Sequence, residues 1–316
     1  MKKVVISLLL TLVSFISMAQ ESQTEYNFLR LPASAHSAAL GGANITIIED
    51  DPTLMFDNPA LLGSVSDRTL NLNYMNFMAG ANAASASFTK VLNDKASIGV
   101  AGQFLNYGKM KETDEHNVQT GEFSAKDIAL SGTFSYMLAD QWVGGITTRF
   151  ITSYIGNYNS FAIGVDLGLN YYHPDNEWSV SAVVKNLGGE LDAYEEEYGK
   201  LPLDVQVGVS KRLVGSPLRL SATFVDLNHL HYKLMNHVAV GADLILSPQI
   251  YVAMGYNFRR ANEMTIVNDN EEKGSSHGAG FSFGAGLQLE RFKLDVAYGK
   301  YHVSSHSLII NASFHL

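Results

Sequence analysis

The chain has 316 residues, a formal net charge of −9, no cysteine, and 27 glycines, 16 phenylalanines and 15 tyrosines against 7 prolines. An acidic chain without a basic run excludes nucleic acid as a natural partner, because phosphate binding needs clustered Lys and Arg. The lack of cysteine excludes disulfides, thiol catalysis and a lipid-modified cysteine.

Residues 1–19 read as a secretory signal. Lys2 and Lys3 open it, Val4 to Phe15 form an apolar core, and Ser17-Met18-Ala19 is a small-x-small site, which predicts cleavage between Ala19 and Gln20. The apolar run is too short to favour a transmembrane helix. Loss of the two lysines takes the formal charge from −9 to −11.

Residues 20–66 are the one part of the chain without amphipathic strand character. Between Phe28 and Leu62 small residues dominate: Ala33, Ala35, Ala38, Ala39, Gly41 and Gly42. This stretch is expected to be a plug inside a barrel built by residues 67–316. The turn Asp57-Asn58-Pro59-Ala60 hands the chain to the first strand, and Asp50 and Asp51 are expected to pair with charges of the lumen.

From Thr69 onward, segments of about ten residues alternate between apolar and polar or small residues, the period of a strand with two different faces. Leu70, Leu72 and Tyr74 oppose Asn71 and Asn73. Phe161, Ile163, Val165, Leu167, Leu169 and Tyr171 oppose Ala162, Gly164, Asp166, Gly168 and Asn170. In the last segment Leu308, Ile310, Ala312, Phe314 and Leu316 share a face, so the chain stops as it closes the barrel. A soluble sandwich shows the same period, but these segments have the length of tilted membrane strands, and their second face fits a polar lumen. Short polar turns alternate with longer connections, expected at 108–126, 187–201, 228–236 and 259–278. The fold predicted is all-β: a transmembrane antiparallel β-barrel of about 14 strands with an N-terminal plug segment in the lumen, in the bacterial outer membrane with both termini periplasmic.

The inward charges Arg149, Asp166, Arg219, Asp243, Lys293 and Asp295 belong in a wet or protein-filled lumen, because lipid penalises charge. They are expected to pair with one another or with the plug. No catalytic residue, metal ligand set or cofactor motif emerges. His229, His231 and His237 lack a further clustered ligand, and Ser304, Ser305 and His306 are ordinary strand-end residues rather than a triad. The acidic runs 192–198 and 269–272 read as solvated loops.

Several stretches resemble the PorV/PorQ family of the type IX secretion system. They are Leu31-Pro32-Ala33-Ser34-Ala35, Ala39-Leu40-Gly41-Gly42-Ala43, Asp50-Asp51, Asn58-Pro59-Ala60-Leu61-Leu62 and Lys185-Asn186-Leu187-Gly188, with the opening nearest the PorQ type. The resemblance implies a non-enzymatic barrel subunit of a surface attachment complex. It would hold a PorZ-like surface protein near outer-membrane lipid and lipopolysaccharide, with PorU and PorV as further partners. Two alternatives remain open: a PorV-like shuttle for cargo C-terminal signal domains, and a channel for hydrophobic molecules built like the long-chain fatty-acid transporters.

Overall fold

The computed structural model describes residues 24–78, 80–229, 231–265, 278–302 and 305–316. The expected cleavage site at Ala19 and Gln20, the acidic run 269–272 and Ser304 lie outside the described residues.

Among these residues the chain forms fourteen strands. They are β1 (Thr69–Asn76), β2 (Asn82–Asn93), β3 (Ala96–Thr113), β4 (Gln119–Ala139), β5 (Trp142–Ile155), β6 (Tyr158–His173) and β7 (Trp178–Asp192). The ring continues with β8 (Asp204–Arg212), β9 (Leu218–Phe224), β10 (Val238–Ser247), β11 (Ile250–Asn257), β12 (Phe281–Gln288), β13 (Phe292–His302) and β14 (Ser305–His315). Each strand pairs antiparallel with the next, and β1 closes the ring on β14 from Thr69↔His315 to Asn76↔Leu308. Closure leaves no strand edge, which is what lets backbone polar groups cross lipid.

The period-two pattern sorts onto the two faces of this wall. Leu72, Leu130, Phe150, Val252 and Phe283 are exposed on the outside, while Asn71, Ser131, Ile151, Ala253 and Ser282 are buried on the inside. So much apolar surface would be unstable in water but suits an acyl-chain environment. Aromatic side chains flank the band. Tyr136, Trp142 and Trp178 sit toward the short-turn end and Tyr74, Tyr154, Tyr158 and Tyr298 toward the other, all outward and exposed, as in the interfacial girdles of membrane barrels.

Two expected loops are strand instead. Most of 108–126 continues β3 and β4 as a ribbon, paired from Lys109↔Ser124 to Thr113↔Gln119. Residues 111–120 are exposed on both faces, so apolar alternation ends where the ribbon leaves the membrane although hydrogen bonding continues. Likewise β7 runs on through Leu187 to Asp192 against β6, which shortens the expected 187–201 connection to 193–203.

The described chain begins at one end of the ring and stops at the other. Glu25 donates its backbone N–H to the Lys200 carbonyl in the β7–β8 connection, at the long-loop end (3.0 Å). Leu316 lies at the opposite end, where its N–H meets the Arg68 carbonyl (3.1 Å). The reason is that residues 24–68 traverse the ring from one mouth to the other before β1 turns back through the wall.

Candidate functional site

The densest chemistry lies where residues 24–68 meet the inner wall. Small residues shape the path. Ser34 caps the short helix α1 (Ala35–Ala39), its side chain accepting from Ser37 N. Gly41 and Gly42, at φ +100° and +80°, then turn the chain sharply. Asp51 and Asn58 each start a 3-10 turn, at Pro52–Phe56 and Pro59–Ser64, and accept from the backbone N–H of Thr53 and Ala60 (both 2.9 Å). Strand glycines let this backbone touch the wall. A β-carbon on Gly145 would collide with Pro59, on Gly168 with Asn58, and on Gly255 with Leu40 and Gly41.

An ionic circuit joins the segment to β9, β10, β11 and β13. The His36 ring, stacked on Tyr251 at 3.9 Å, places Nε2 2.6 Å from Asp243 Oδ1 and Nδ1 2.9 Å from Glu49 Oε1. Glu49 also meets Arg219 Nη2 (2.8 Å) and Lys293 Nζ (2.9 Å). Arg219 Nε returns to Asp243 Oδ2 (2.7 Å), and Lys293 lies 3.7 Å from Asp51 and 3.6 Å from Asp295. Tyr251 donates its hydroxyl to Asp295 (2.8 Å). Burial alone would lower the His36 pKa, but Glu49 and Asp243 outweigh it and push it up to about 9. Burial would raise Glu49, yet His36, Lys293 and Arg219 hold its carboxyl well below the usual range. His36 and Glu49 therefore face each other as a charged pair at neutral pH.

The expected lumen charges divide into two groups. Arg219, Asp243, Lys293 and Asp295 gather in this circuit together with Asp51. Arg149 and Asp166 stand apart on β5 and β6, paired at 2.7 Å, with Asn186 between them. Asn186, at φ +59°, donates its backbone N–H to Asp166 and accepts from Arg149 through its side-chain oxygen. The next residue but one, Gly188, lies so close to the Ile163 carbonyl that a β-carbon would not fit. These contacts give Lys185-Asn186-Leu187-Gly188 a physical role as a bulge between β6 and β7.

The remaining candidates take separate positions. Asp50 accepts from Ser66 and lies 3.7 Å from His315 at the short-turn end. Leu31 and Pro32 line a cavity near the long loops, as do Gly41 and Gly42. Ala60 is buried against β5. On β14, Leu308, Ile310 and Phe314 point outward, with Leu316 just beyond the strand. His229 pairs with Asp226 at 2.7 Å, and no group of metal-ligating side chains forms among the described residues. His36, Glu49 and Tyr251 were not singled out from the sequence. A lone histidine in a small-residue stretch carries no periodic signal, and the six inward wall charges balance without it.

The segment touches all fourteen strands. Tyr26 reaches Glu190 on β7 (2.5 Å), Ser210 on β8 reaches the Thr46 carbonyl (3.4 Å), and Ala35 N donates to Asn311 on β14 (2.7 Å). The two 3-10 turns face β1–β6, α1 faces β11–β14, and the ionic circuit supplies β9 and β10.

No protein-family model and no curated protein matches this sequence. Solved structures do match in fold. A FadL homologue of Pseudomonas aeruginosa aligns with 12% identity over 89% of this chain and 97% of that one, at TM-score 0.53. The Pseudomonas putida toluene transporter TodX aligns with 14% identity over 90% and 97%, at TM-score 0.57. The monoaromatic hydrocarbon channel CymD aligns with 11% identity over 90% and 97%, also at 0.57. What these structures share with this chain is the fold, a closed antiparallel β-barrel.

Proposed function

We propose that this protein is a non-enzymatic outer-membrane barrel whose lumen is closed by its own N-terminal plug, and that it anchors a surface partner. In the type IX secretion reading, the partner is a PorZ-like protein held at the long-loop mouth, with PorU and PorV nearby and cargo attached to lipopolysaccharide. The observation that carries the closed-anchor reading is the tie between Glu49 and both Arg219 and Lys293, part of a segment that reaches every strand. A lumen crossed by a segment held through buried ion pairs suits holding better than conducting. The assignment to a secretion complex rests on the sequence resemblance.

A second reading is favoured by the fold likeness to TodX and CymD: a channel for hydrophobic molecules, with the segment as its gate. The paired charges on the inward faces of β5, β6, β9, β10 and β13 speak for the anchor, since an apolar solute gains nothing from such a lining. Isolation from outer membranes in mild detergent separates the two. Recovery of a PorZ-like protein supports the anchor, and recovery of cargo domains indicates a shuttle. Loss of hydrophobic-substrate uptake on deletion, with no co-purifying partner, overturns the anchor. Deleting residues 28–62 is expected to leave a barrel that inserts and conducts ions; a still-insulating bilayer would rule out the plug.

A further inference from the structure

Above the ionic circuit, on the long-loop side, lies a separate cavity of about 260 Å³. Three of the stretches that carry the family resemblance meet at its wall: Leu31-Pro32-Ala33, Gly41-Gly42-Ala43 and Lys185-Asn186. None of the ties that close the lumen uses the groups described next.

Four buried polar atoms of residues lining this cavity have no hydrogen-bond partner among the described residues: Arg260 Nη1, Arg149 Nε, Tyr301 Oη and Asp57 Oδ2. Such atoms are costly in a folded protein, and four around one space point to an absent occupant. Arg260 is the most telling. It belongs to helix α2 (Phe258–Glu263), is only 7% exposed, and is clamped by three backbone carbonyls: Ala279 (2.7 Å), Gly280 (3.0 Å) and Phe281 (3.2 Å). The clamp engages Nε and Nη2, aligns the guanidinium over the Tyr301 ring at 4.7 Å and leaves Nη1 outside the carbonyl contacts. Arg149 and Arg259, which also line the cavity, are already neutralised by Asp166 and Asp226, whereas the contacts clamping Arg260 are all neutral. Space is kept open beside it. A β-carbon on Gly42 would stand 3.0 Å from Tyr301 Oη and 3.3 Å from Arg260 Nη1.

We infer that this cavity binds one small hydroxylated acid, whose carboxylate or phosphate is taken by Arg260 and Tyr301 and one of whose hydroxyls donates to Asp57. Arginine suits either acid through parallel N–H donors. The volume falls below the roughly 300 Å³ at which pockets for drug-sized ligands begin, so the occupant is one sugar-sized unit. This inference is independent of the anchor reading, because a gated channel and a closed anchor would hold the site alike.

Calorimetry on the full-length barrel in detergent tests it, with glucuronate, glucose 6-phosphate, glucose and inorganic phosphate as probes. At least one sugar acid is expected to bind about tenfold or more tighter than glucose, and Arg260→Gln to weaken it about tenfold or more. Tyr301→Phe, which removes one oxygen and keeps the ring, should weaken it by a smaller factor, and Arg212→Gln, outside the cavity, should not. Heat-modifiable migration on gels checks that each variant retains a closed barrel. Displacement of the probe by short-chain phosphatidylinositol supports a lipid headgroup as the source of the acid, and persistence of the probe supports a soluble one. Equal binding of glucose and the acids, no binding by any probe, or full binding by both cavity variants overturns the site. Inorganic phosphate binding as tightly as glucose 6-phosphate overturns the role given to Asp57.

Discussion

The two sides of the lumen hold the same segment by different physics. Toward β9–β13 the contacts are ionic, with His36, Glu49 and Asp51 set among Arg219, Asp243, Lys293 and Asp295. Toward β3–β6 they are apolar and close: Leu62 packs with Met55 and Ala101, and the backbone at Asn58 and Pro59 rests on Gly145 and Gly168. Packing of this kind tolerates a shift of register better than charge pairing, because dispersion is non-directional and a buried ion requires its counter-ion in place. The ionic side fixes where the segment sits, and the apolar side contributes area.

That division can be broken from either side. Lys293→Met removes the cation shared by Glu49, Asp51 and Asp295. It is expected to destabilise the barrel by about 3–5 kcal/mol, since breaking a buried pair leaves charge uncompensated; thermal unfolding in micelles measures it, and an unchanged midpoint would refute the ionic anchor. Leu62→Ala on the opposite wall is expected to cost about 2–4 kcal/mol by cavity formation. In protease-protection assays it should leave the N-terminal segment in register, while Lys293→Met should free it. Equal protease sensitivity in the two variants would erase the distinction.

Alkaline pH probes the ionic side without mutation. A His36 pKa raised from 6.5 to about 9 means that its stabilisation is complete below about 6.5 and disappears as pH rises through 9. Segment protection should therefore fall between pH 8 and pH 10, roughly around that value, and His36→Gln should flatten this dependence. The smallest effect is expected at Asp57, where burial pushes the carboxyl up to about 6 and outweighs the lowering by Lys185. Asp57→Asn should stabilise the protein by about 1–2 kcal/mol near neutrality. The gain should shrink as pH falls through 6, because the native acid is then protonated. Destabilisation at neutral pH would contradict the burial argument.

The wall was legible in the sequence because a strand between lipid and a polar lumen must alternate, and each of the fourteen segments from Thr69 onward does so. The ribbon at 108–126 was not, because Lys109, Lys111, Glu112 and Glu122 stand in water, where no alternation is required. The wall charges were legible as inward-facing, since Arg219 and Asp243 share a face with glycine, serine and threonine. Their partners were not. His36 and Glu49 contact residues roughly two hundred positions away, and no local pattern announces a contact made across a closed ring. Position 42 reads as a turn glycine, and only the arrangement of Arg260 and Tyr301 reveals the space it leaves.

The crossing of the lumen by residues 24–68 also constrains how the molecule is made. A ring closed by β1 on β14 has no side door, so the segment must be in place before that seam zips, or be threaded end-on afterwards. Its ties to β10 and β13, His36 to Asp243 and Glu49 to Lys293, form only once the C-terminal half of the chain has been delivered. Such distant pairings fold slowly. On the first of those routes the seam strand at Leu308–Phe314 is the final stitch, drawn tight around a thread already laid.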